Sequence, residues 1–193
     1  RLFEKLDIGV THAFERAVKR LLDAGVAITD IDIEPLLARI DEINALGSMS
    51  AIEAACEHAA ILEEQSDRVD RRVIARIRGG SNVPAATYVR MLKLREALTR
   101  DAETQFARYD ALMLPTVATV APQIAALEAS DAEFSAANVL TLRNTTQFNM
   151  LDCCAISIPL RTQALPVGLM LVGARGRDHR LFEVAAGVER LLA

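Results

Sequence analysis

Two apolar runs near the end of the chain constrain its fold more than any other feature. They cover residues 155–160 and 166–172, and five residues separate them. Each run contains a proline near the intervening segment, Pro159 in the first and Pro166 in the second. Strands that are buried on both faces appear in a sequence as short, nearly continuous apolar runs. The pattern therefore predicts an antiparallel hairpin in the interior of a sheet.

Hydrophobic periodicity in the rest of the chain predicts alternating helices and strands. The predicted helices cover residues 14–22, 36–47, 50–62, 84–107 and 134–148, and a last one begins near Asp178. The other predicted strands cover residues 26–33 and 111–114, and residues 115–131 are expected to be irregular. Helices alternating with strands are typical of the α/β class, and we expect a single domain over residues 1–193.

The composition excludes several classes of protein. The chain has 193 residues, of which 51% are hydrophobic and 25% charged, and this balance indicates a globular domain. A net charge of -4 argues against nucleic-acid binding, which usually requires a basic surface. Three cysteines cannot form a disulfide framework, and no apolar stretch reaches membrane-spanning length, so we expect a cytoplasmic protein. The first residue is not methionine, so we expect the chain to begin inside a longer protein.

The hairpin region is similar to one known protein family. The family pattern is Asn-x-x-Gly-x-Pro-Ala-x-Ser-x-Pro, a short loop, and then Leu-Pro-Val-Gly-x-x-Leu-x-Gly. The matching residues are Asn149, Ala155, Ser157, Pro159, Leu165, Pro166, Val167, Gly168, Leu171 and Gly173. Asp152 stands where the pattern has glycine, and Cys154 stands where it has its first proline. On these residues the chain resembles the C-terminal part of the amidase signature enzymes, which hydrolyse carboxamides.

Other segments resemble the same family, in the same order along the chain. They include residues 12–33, then a middle segment with Gly80, Tyr88 and Arg95. Residues 109–116 resemble the family's Asp-x-x-x-x-Pro-Thr strand end. The resemblance implies an α/β fold, namely the C-terminal part of a large mixed β-sheet flanked by helices.

The catalytic residues of this family do not appear in the chain. Family members use two serines, a lysine and a loop rich in Gly-Gly-Ser-Ser, and no such loop occurs here. The segment Gly79-Gly80-Ser81-Asn82 has the wrong place in the family order, and the three lysines are Lys5, Lys19 and Lys93. We therefore assign no catalytic residue, no cofactor and no metal site. The resemblance implies that the missing N-terminal half carries the chemistry and that this chain alone is inactive.

The polar stretch 143–149 is the candidate for substrate binding. The resemblance implies that it approaches the substrate pocket from the side opposite the serines, so Arg143, Thr145 and Asn149 are the candidate substrate-binding residues. Guanidinium suits contact with a carboxylate or an amide oxygen. The alternative is that these residues hydrogen-bond the loop before the strand, and that Arg143 lies on a helix surface.

Histidine and cysteine offer weaker candidates. His12, His58 and His179 lie on three separate predicted helices without the spacing of metal ligands, which favours structural roles. Cys153 and Cys154 are adjacent and lead into an apolar strand, where a free cysteine behaves as a small hydrophobe.

Three functions stay open at this point. The favoured one is part of an amide hydrolase that takes a small-molecule amide and supplies scaffold and one wall of the pocket, in a possible homo-oligomer. The second is the A-type subunit of a glutamine-dependent amidotransferase acting with tRNA. Ten basic and five acidic residues between positions 67 and 108 give some support to it, although a solvated helix face is the simpler explanation. The third is a non-catalytic fragment that only packs or binds.

Overall fold

The structure, a computed structural model, describes residues 1–162 and 165–193, so the middle of the predicted hairpin loop lies outside the described residues. The helices are α1 (Ile8–Asp23), α2 (Glu34–Asn44), α3 (Met49–Glu57), α4 (Ala59–Glu64), α5 (Arg71–Gly80), α6 (Ala85–Phe106), α7 (Ile124–Ala129), α8 (Asp131–Met150) and α9 (Asp178–Leu192). The strands are β1 (Leu112–Pro115), β2 (Cys154–Leu160) and β3 (Val167–Gly173). The class is mixed α/β, as the sequence predicts.

The described residues form two compact units. The first, called here the sheet unit, contains residues 1–31 and 101–193. The second, called the helical unit, contains residues 32–100. The expectation of one domain stays a prediction, and each unit is described by itself.

The sheet unit contains an antiparallel sheet with the order β1-β3-β2. Strands β2 and β3 pair over seven residues, from Cys154 opposite Gly173 to Leu160 opposite Val167. This ladder confirms the predicted hairpin strands. Strand β1 pairs with the other side of β3, with Met113 opposite Leu171. The predicted strand at 111–114 is therefore confirmed with a shift of one residue.

One face of β3 forms the centre of the core. Leu169 and Leu171 are 0% and 2% exposed and lie in one cluster with Val10 and Leu21 of α1 and Leu181 of α9. Full burial of one such aliphatic side chain contributes about 1.5–3 kcal/mol to folding. Two amphipathic helices therefore hold one side of the sheet.

The prediction that both hairpin strands are buried on both faces is wrong for β2. Within the described residues β2 pairs only with β3, and its residues Ala155, Ser157 and Pro159 are exposed. The residues between them, Ile156 and Ile158, turn toward the core. A large and a small residue alternate along this strand, and that period of two is the mark of a strand with one buried face.

The strand predicted over residues 26–33 is also wrong. No strand is assigned there, because no described segment forms a ladder with it. Val26 and Ile28 still pack partly against the core of the sheet unit. Alternating apolar residues thus indicate the correct inward face but not the pairing, which requires a neighbouring strand.

In the helical unit, the buried side of α2 consists of Leu36, Leu37, Ile40 and Ile43. Helices α3 and α5 approach each other closely at Gly80, where a Cβ atom would collide with the backbone of Ala51 and Ile52. The helix predicted over 50–62 is interrupted at His58, which ends α3 and precedes α4. Its N-terminal cap is Ser48, whose hydroxyl accepts a hydrogen bond from the Ala51 amide at 3.3 Å.

The other helix predictions are confirmed in type but not in their ends. Helix α1 begins at Ile8 because the carboxylate of Asp7 caps it and accepts from the Gly9 amide at 2.7 Å. Helix α8 begins at Asp131 because Ser130 caps it in the same way. The stretch predicted to be irregular contains the short helix α7.

Candidate pocket wall

Two hydroxyl groups meet on the face of the sheet that carries the exposed residues of β2. Thr116 directly follows β1, and Ser157 lies in the middle of β2. Their oxygens, Oγ1 and Oγ, are 2.6 Å apart, a short hydrogen bond in which either group can be the donor. Ser157 is exposed and Thr116 is half-buried. The pair therefore presents polar atoms on a face whose other strand residues are mostly apolar.

Gly168 of β3 makes this meeting possible. A Cβ atom at Gly168 would lie 2.7 Å from Thr116 Oγ1 and would also collide with Ser157 Oγ. The two hydroxyls thus occupy the space that a side chain on the central strand would fill. Glycine inside a strand often marks a close approach of this kind.

Helix α8 fixes the end of β1 through a buried amide. Asn144 is 0% exposed, and its Nδ2 donates to the carbonyl oxygen of Pro115 at 2.8 Å. A buried polar side chain requires such a partner, because leaving it unpaired costs about 1–3 kcal/mol. The bond holds the residue before Thr116, so α8 and the hydroxyl pair belong to one connected network.

Arg143 is largely engaged with the start of the chain. Its Nη1 and Nη2 donate to the carbonyl oxygens of Glu4 and Leu2 at 2.6 and 2.7 Å, and its Nε donates to Asn144 Oδ1 at 3.1 Å. Burial lowers the pKa of the guanidinium, and the carboxylate of Glu4 opposes that shift. This geometry gives Arg143 an anchoring role, and its role in substrate binding stays a prediction.

The other two candidate residues differ in environment. The hydroxyl of Thr145 is half-buried and donates to the carbonyl oxygen of Leu142 at 3.2 Å, a bond within α8. Asn149 is exposed near the end of the same helix. Among the described residues, the side chains of Arg143, Thr145 and Asn149 have separate environments, and those of Arg143 and Thr145 share no hydrogen-bond partner that would define one site.

Gln147, on the same helix, carries an unusual atom. Its Oε1 is buried and has no hydrogen-bond donor among the residues that the structure describes. Buried side-chain oxygens are nearly always paired, so this acceptor calls for a donor from outside the described chain.

The adjacent cysteines are poorly suited to nucleophilic chemistry. Burial, followed by the neighbouring Cys154 and Asp152, raises the pKa of Cys153 to about 12. Burial also raises the pKa of Cys154. Because the thiolate is the reactive form, both groups are mostly inert at neutral pH. This agrees with the interpretation that they pack as small hydrophobes.

Asp152, which replaces the family's glycine, has the backbone that glycine favours. Its φ is +57°, in the left-handed region just after α8. Its carboxylate pairs with Arg175 Nε at 3.0 Å, and both side chains are largely exposed. Asp152 thus connects the turn before β2 to the turn after β3.

The chain is similar to known proteins of one family. Residues 1–182 match the Amidase family. The chain belongs to this family. A relative from Comamonas testosteroni, 2-amino-5-chloromuconic acid deaminase, is 28% identical over 192 residues, which cover 98% of this chain and 41% of the relative. The amidase-family chain thus spans about two-fifths of the length of that relative.

Two further comparisons extend this result. The A-type subunit of the glutamyl-tRNA(Gln) amidotransferase of Moorella thermoacetica is 33% identical over 106 residues, which cover 54% of this amidase-family chain and 21% of that protein. The solved structure of Kluyveromyces lactis allophanate hydrolase matches with a TM-score of 0.80 and 20% identity over 96% of this chain and 30% of that chain. The structural likeness shows the fold, an amidase signature fold.

The hydroxyl pair is the feature of this amidase-family chain that sequence reasoning missed. Thr116, Ser157 and Gly168 all lie in segments that resemble the family pattern, but they are far apart along the chain. Their meeting requires the strand order β1-β3-β2, which the sequence does not reveal. The signal that could have found them is a glycine in a strand flanked by hydroxyl residues at strand positions.

The described part of the chain offers neither a metal cluster nor a membrane-crossing helix. Residues 1–162 and 165–193 contain no group of three or more His, Cys, Asp or Glu side chains that could hold a metal ion. Over the same residues, no helix has both the length and the apolar character that a membrane crossing requires.

Proposed function

We propose that this chain is part of an amide hydrolase that converts a carboxamide to a carboxylate and ammonia or an amine. It supplies scaffold and one wall of the substrate pocket. The observation that carries the proposal is the Amidase family match over residues 1–182 in a chain that covers 41% of its deaminase relative. The catalytic half belongs to the N-terminal part of the same protein.

Two features of the structure support a missing half. Strands β1 and β2 each pair only with β3 among the described residues, so both outer edges of the sheet are open to further strands. The buried Oε1 of Gln147 lacks a donor within the described chain. A segment of the N-terminal half, or the amide nitrogen of the substrate, would satisfy this oxygen.

The reaction needs groups that this chain does not supply. Amide hydrolysis of this type uses an activated nucleophile and hydrogen-bond donors for the oxyanion that forms on the amide carbonyl. None of the three lysines is placed to act as a base. Lys5 and Lys93 are exposed, and Lys19 forms an exposed ion pair with Asp23 at 2.7 Å.

The first test compares the 193-residue chain with the full-length protein that contains it. We expect the full-length protein to release ammonia or amine from at least one of acetamide, hexanamide, benzamide and glutamine, and the chain alone to release none. Turnover by the chain alone that is lost on substituting one of its own residues would contradict this division of labour.

We also propose that Arg143, Thr145 and Asn149 contribute to the pocket wall. The test is Arg143→Ala in the full-length protein, with Arg143→Lys to retain the charge. A role in binding raises KM while the melting temperature changes little. A purely anchoring role, through the carbonyls of Leu2 and Glu4, lowers the melting temperature and leaves the KM of the folded fraction unchanged.

The alternative is the A-type subunit of a glutamine-dependent amidotransferase acting with tRNA. The 33% identity to the Moorella thermoacetica protein over 106 residues favours it, as does the excess of basic residues between positions 67 and 108. Glutamine hydrolysis that depends on tRNA and partner subunits would select this alternative. Turnover of simple amides without partners would select the free hydrolase.

A non-catalytic role is the third function, and a full-length protein without a Gly-Gly-Ser-Ser-type loop would select it. A cytoplasmic location, a possible homo-oligomer and the absence of nucleic-acid binding stay predictions. Fractionation and solution mass of the full-length protein test the first two.

A further inference from the structure

We propose that the hydroxyl pair of Thr116 and Ser157 is a contact point for the carboxamide group of the substrate. This inference rests on the proposed function. It assigns Thr116 Oγ1 and Ser157 Oγ as the atoms that bind the polar atoms of the substrate carboxamide.

The pair is held by rigid elements. The amide of Thr116 donates to the carbonyl oxygen of Gly168 at 2.9 Å, which extends the ladder between β1 and β3 by one residue. The residue before it is fixed by Asn144, and Ser157 lies opposite Met170 in the ladder between β2 and β3. Groups on strands are positioned more accurately than groups on loops, which suits a site that must meet a ligand.

Gly168 leaves the space above the central strand to the two hydroxyls. A side chain there would separate Thr116 Oγ1 from Ser157 Oγ, because its Cβ would collide with both. The cross-strand bond is not needed to join the strands, since β1 and β2 already pair with β3 along their lengths. The glycine therefore serves the approach of the two hydroxyls.

The hydrogen-bonding capacity of the pair matches a carboxamide. Two hydroxyls bonded to each other at 2.6 Å use one of their two protons. One O–H donor and free acceptor lone pairs remain. A carboxamide presents one carbonyl acceptor and N–H donors, so it can accept from the free hydroxyl proton and donate to the other oxygen.

The surroundings favour an uncharged group. The side chains that flank Ser157 on the exposed face of β2 are Ala155 and Pro159, which carry no charge. A carboxylate or an ammonium group on this surface would find no opposite charge from β2. The uncharged side chains beside the pair on β2 therefore suit a neutral amide.

The test uses Ser157→Ala, Thr116→Val and the double variant in the full-length protein. A control is Ser50→Ala, which removes one hydroxyl from another exposed pair, with Ser48 at 3.2 Å. We expect each single variant to lower kcat/KM for the preferred amide by about 3- to 10-fold, as for one neutral hydrogen bond. The double variant should lower kcat/KM little more than either single variant, because the two hydroxyls act as a unit. Ser50→Ala should leave kcat/KM unchanged.

The outcomes separate the two proposals. If the wild-type protein turns over an amide and all three variants keep its kcat/KM, the hydroxyl contact alone is overturned. The same holds if kcat/KM falls only in proportion to a lower melting temperature. No turnover of any amide by the wild-type full-length protein would overturn the proposed function and the hydroxyl contact with it. Gly168→Ala offers a second probe, since it separates the hydroxyls sterically and should reproduce the loss while both hydroxyls are retained.

Discussion

The sheet unit and the helical unit are built on different kinds of constraint. In the sheet unit, β3 is paired on both sides, and its residues Leu169 and Leu171 are almost fully buried. In the helical unit, α4 has no buried residue, and the apolar side chains of Val73, Val89 and Leu92 are exposed. Strand pairing therefore sets the register of the side chains in the sheet unit, whereas the helical unit is held by buried helix faces such as that of α2 and by the close contact at Gly80.

Removal of a core side chain from β3 should have the largest effect. Leu171→Ala leaves a cavity where α1 and α9 meet the sheet, and it should lower the free energy of unfolding by about 2–5 kcal/mol. Leu165→Ala is a matched control because that side chain is 49% exposed. Denaturant titration gives both values. Equal losses for the two variants, or fast amide exchange at Leu169 and Leu171, would show that the sheet is not the rigid unit.

Thiol reactivity should differ between the two units. Cys56 of the helical unit is exposed, whereas the pKa of Cys153 in the sheet unit is raised to about 12. At pH 8 a thiol reagent should label Cys56 first and Cys153 on the order of a hundredfold more slowly. Mass spectrometry of timed samples measures both rates. Labelling of Cys153 as fast as Cys56 would mean that the segment before β2 opens readily.

The same pKa shift predicts a dependence of stability on pH. The folded-state pKa of Cys153 lies above the ordinary value of 9.0, so the folded chain holds this proton more tightly than the unfolded chain. The contribution is fully present below pH 9 and is lost as the pH rises toward 12. Cys153→Ala should therefore show a smaller alkaline loss of stability than the unaltered chain. Identical alkaline curves would contradict the burial of this thiol.

Two neighbouring glycines at the end of α5 test the packing of α3 against α5 in the helical unit. Gly80→Ala places a Cβ against the backbone of Ala51 and Ile52 and should lower stability by about 1–3 kcal/mol. Gly79→Ala meets nothing within 4 Å and should raise stability by about 0.5–1 kcal/mol, because alanine favours the helix. Melting temperatures of both variants give the signs. The same sign for both would mean that α3 and α5 do not pack at Gly80.

The smallest effect is expected at Asp152. Asp152→Gly removes the strain of a left-handed backbone, worth about 1–2 kcal/mol, and also the exposed pair with Arg175, worth about 0–1 kcal/mol. The two contributions oppose each other, so we expect a net gain of about 0–2 kcal/mol, near the lower end because glycine also costs backbone entropy. Arg175→Gln isolates the ion pair and should be almost neutral. A clear loss for Asp152→Gly with a neutral Arg175→Gln would assign the aspartate a role other than this pair.

How much of the structure the sequence predicts depends on whether a feature is local. The hairpin, the strand before Pro115 and most helices follow from periodicity, since each depends on residues close along the chain. Residues 26–33 have strand periodicity, yet no described segment pairs with them. The candidate site shows the same limit. Arg143 is a candidate because of its position before the hairpin, whereas its bonds to Leu2 and Glu4 join it to the distant start of the chain.

The outer edge of β2 has a practical consequence for handling the isolated chain. This strand, Cys154–Leu160, has no charged residue, and Pro159 is its only residue of the kind that protects strand edges from association. Copies of the chain on their own can therefore add to one another along this edge and form aggregates or adventitious dimers. A solution mass measured on the isolated chain would then include this edge-to-edge association, so the predicted homo-oligomer is to be tested on the full-length protein.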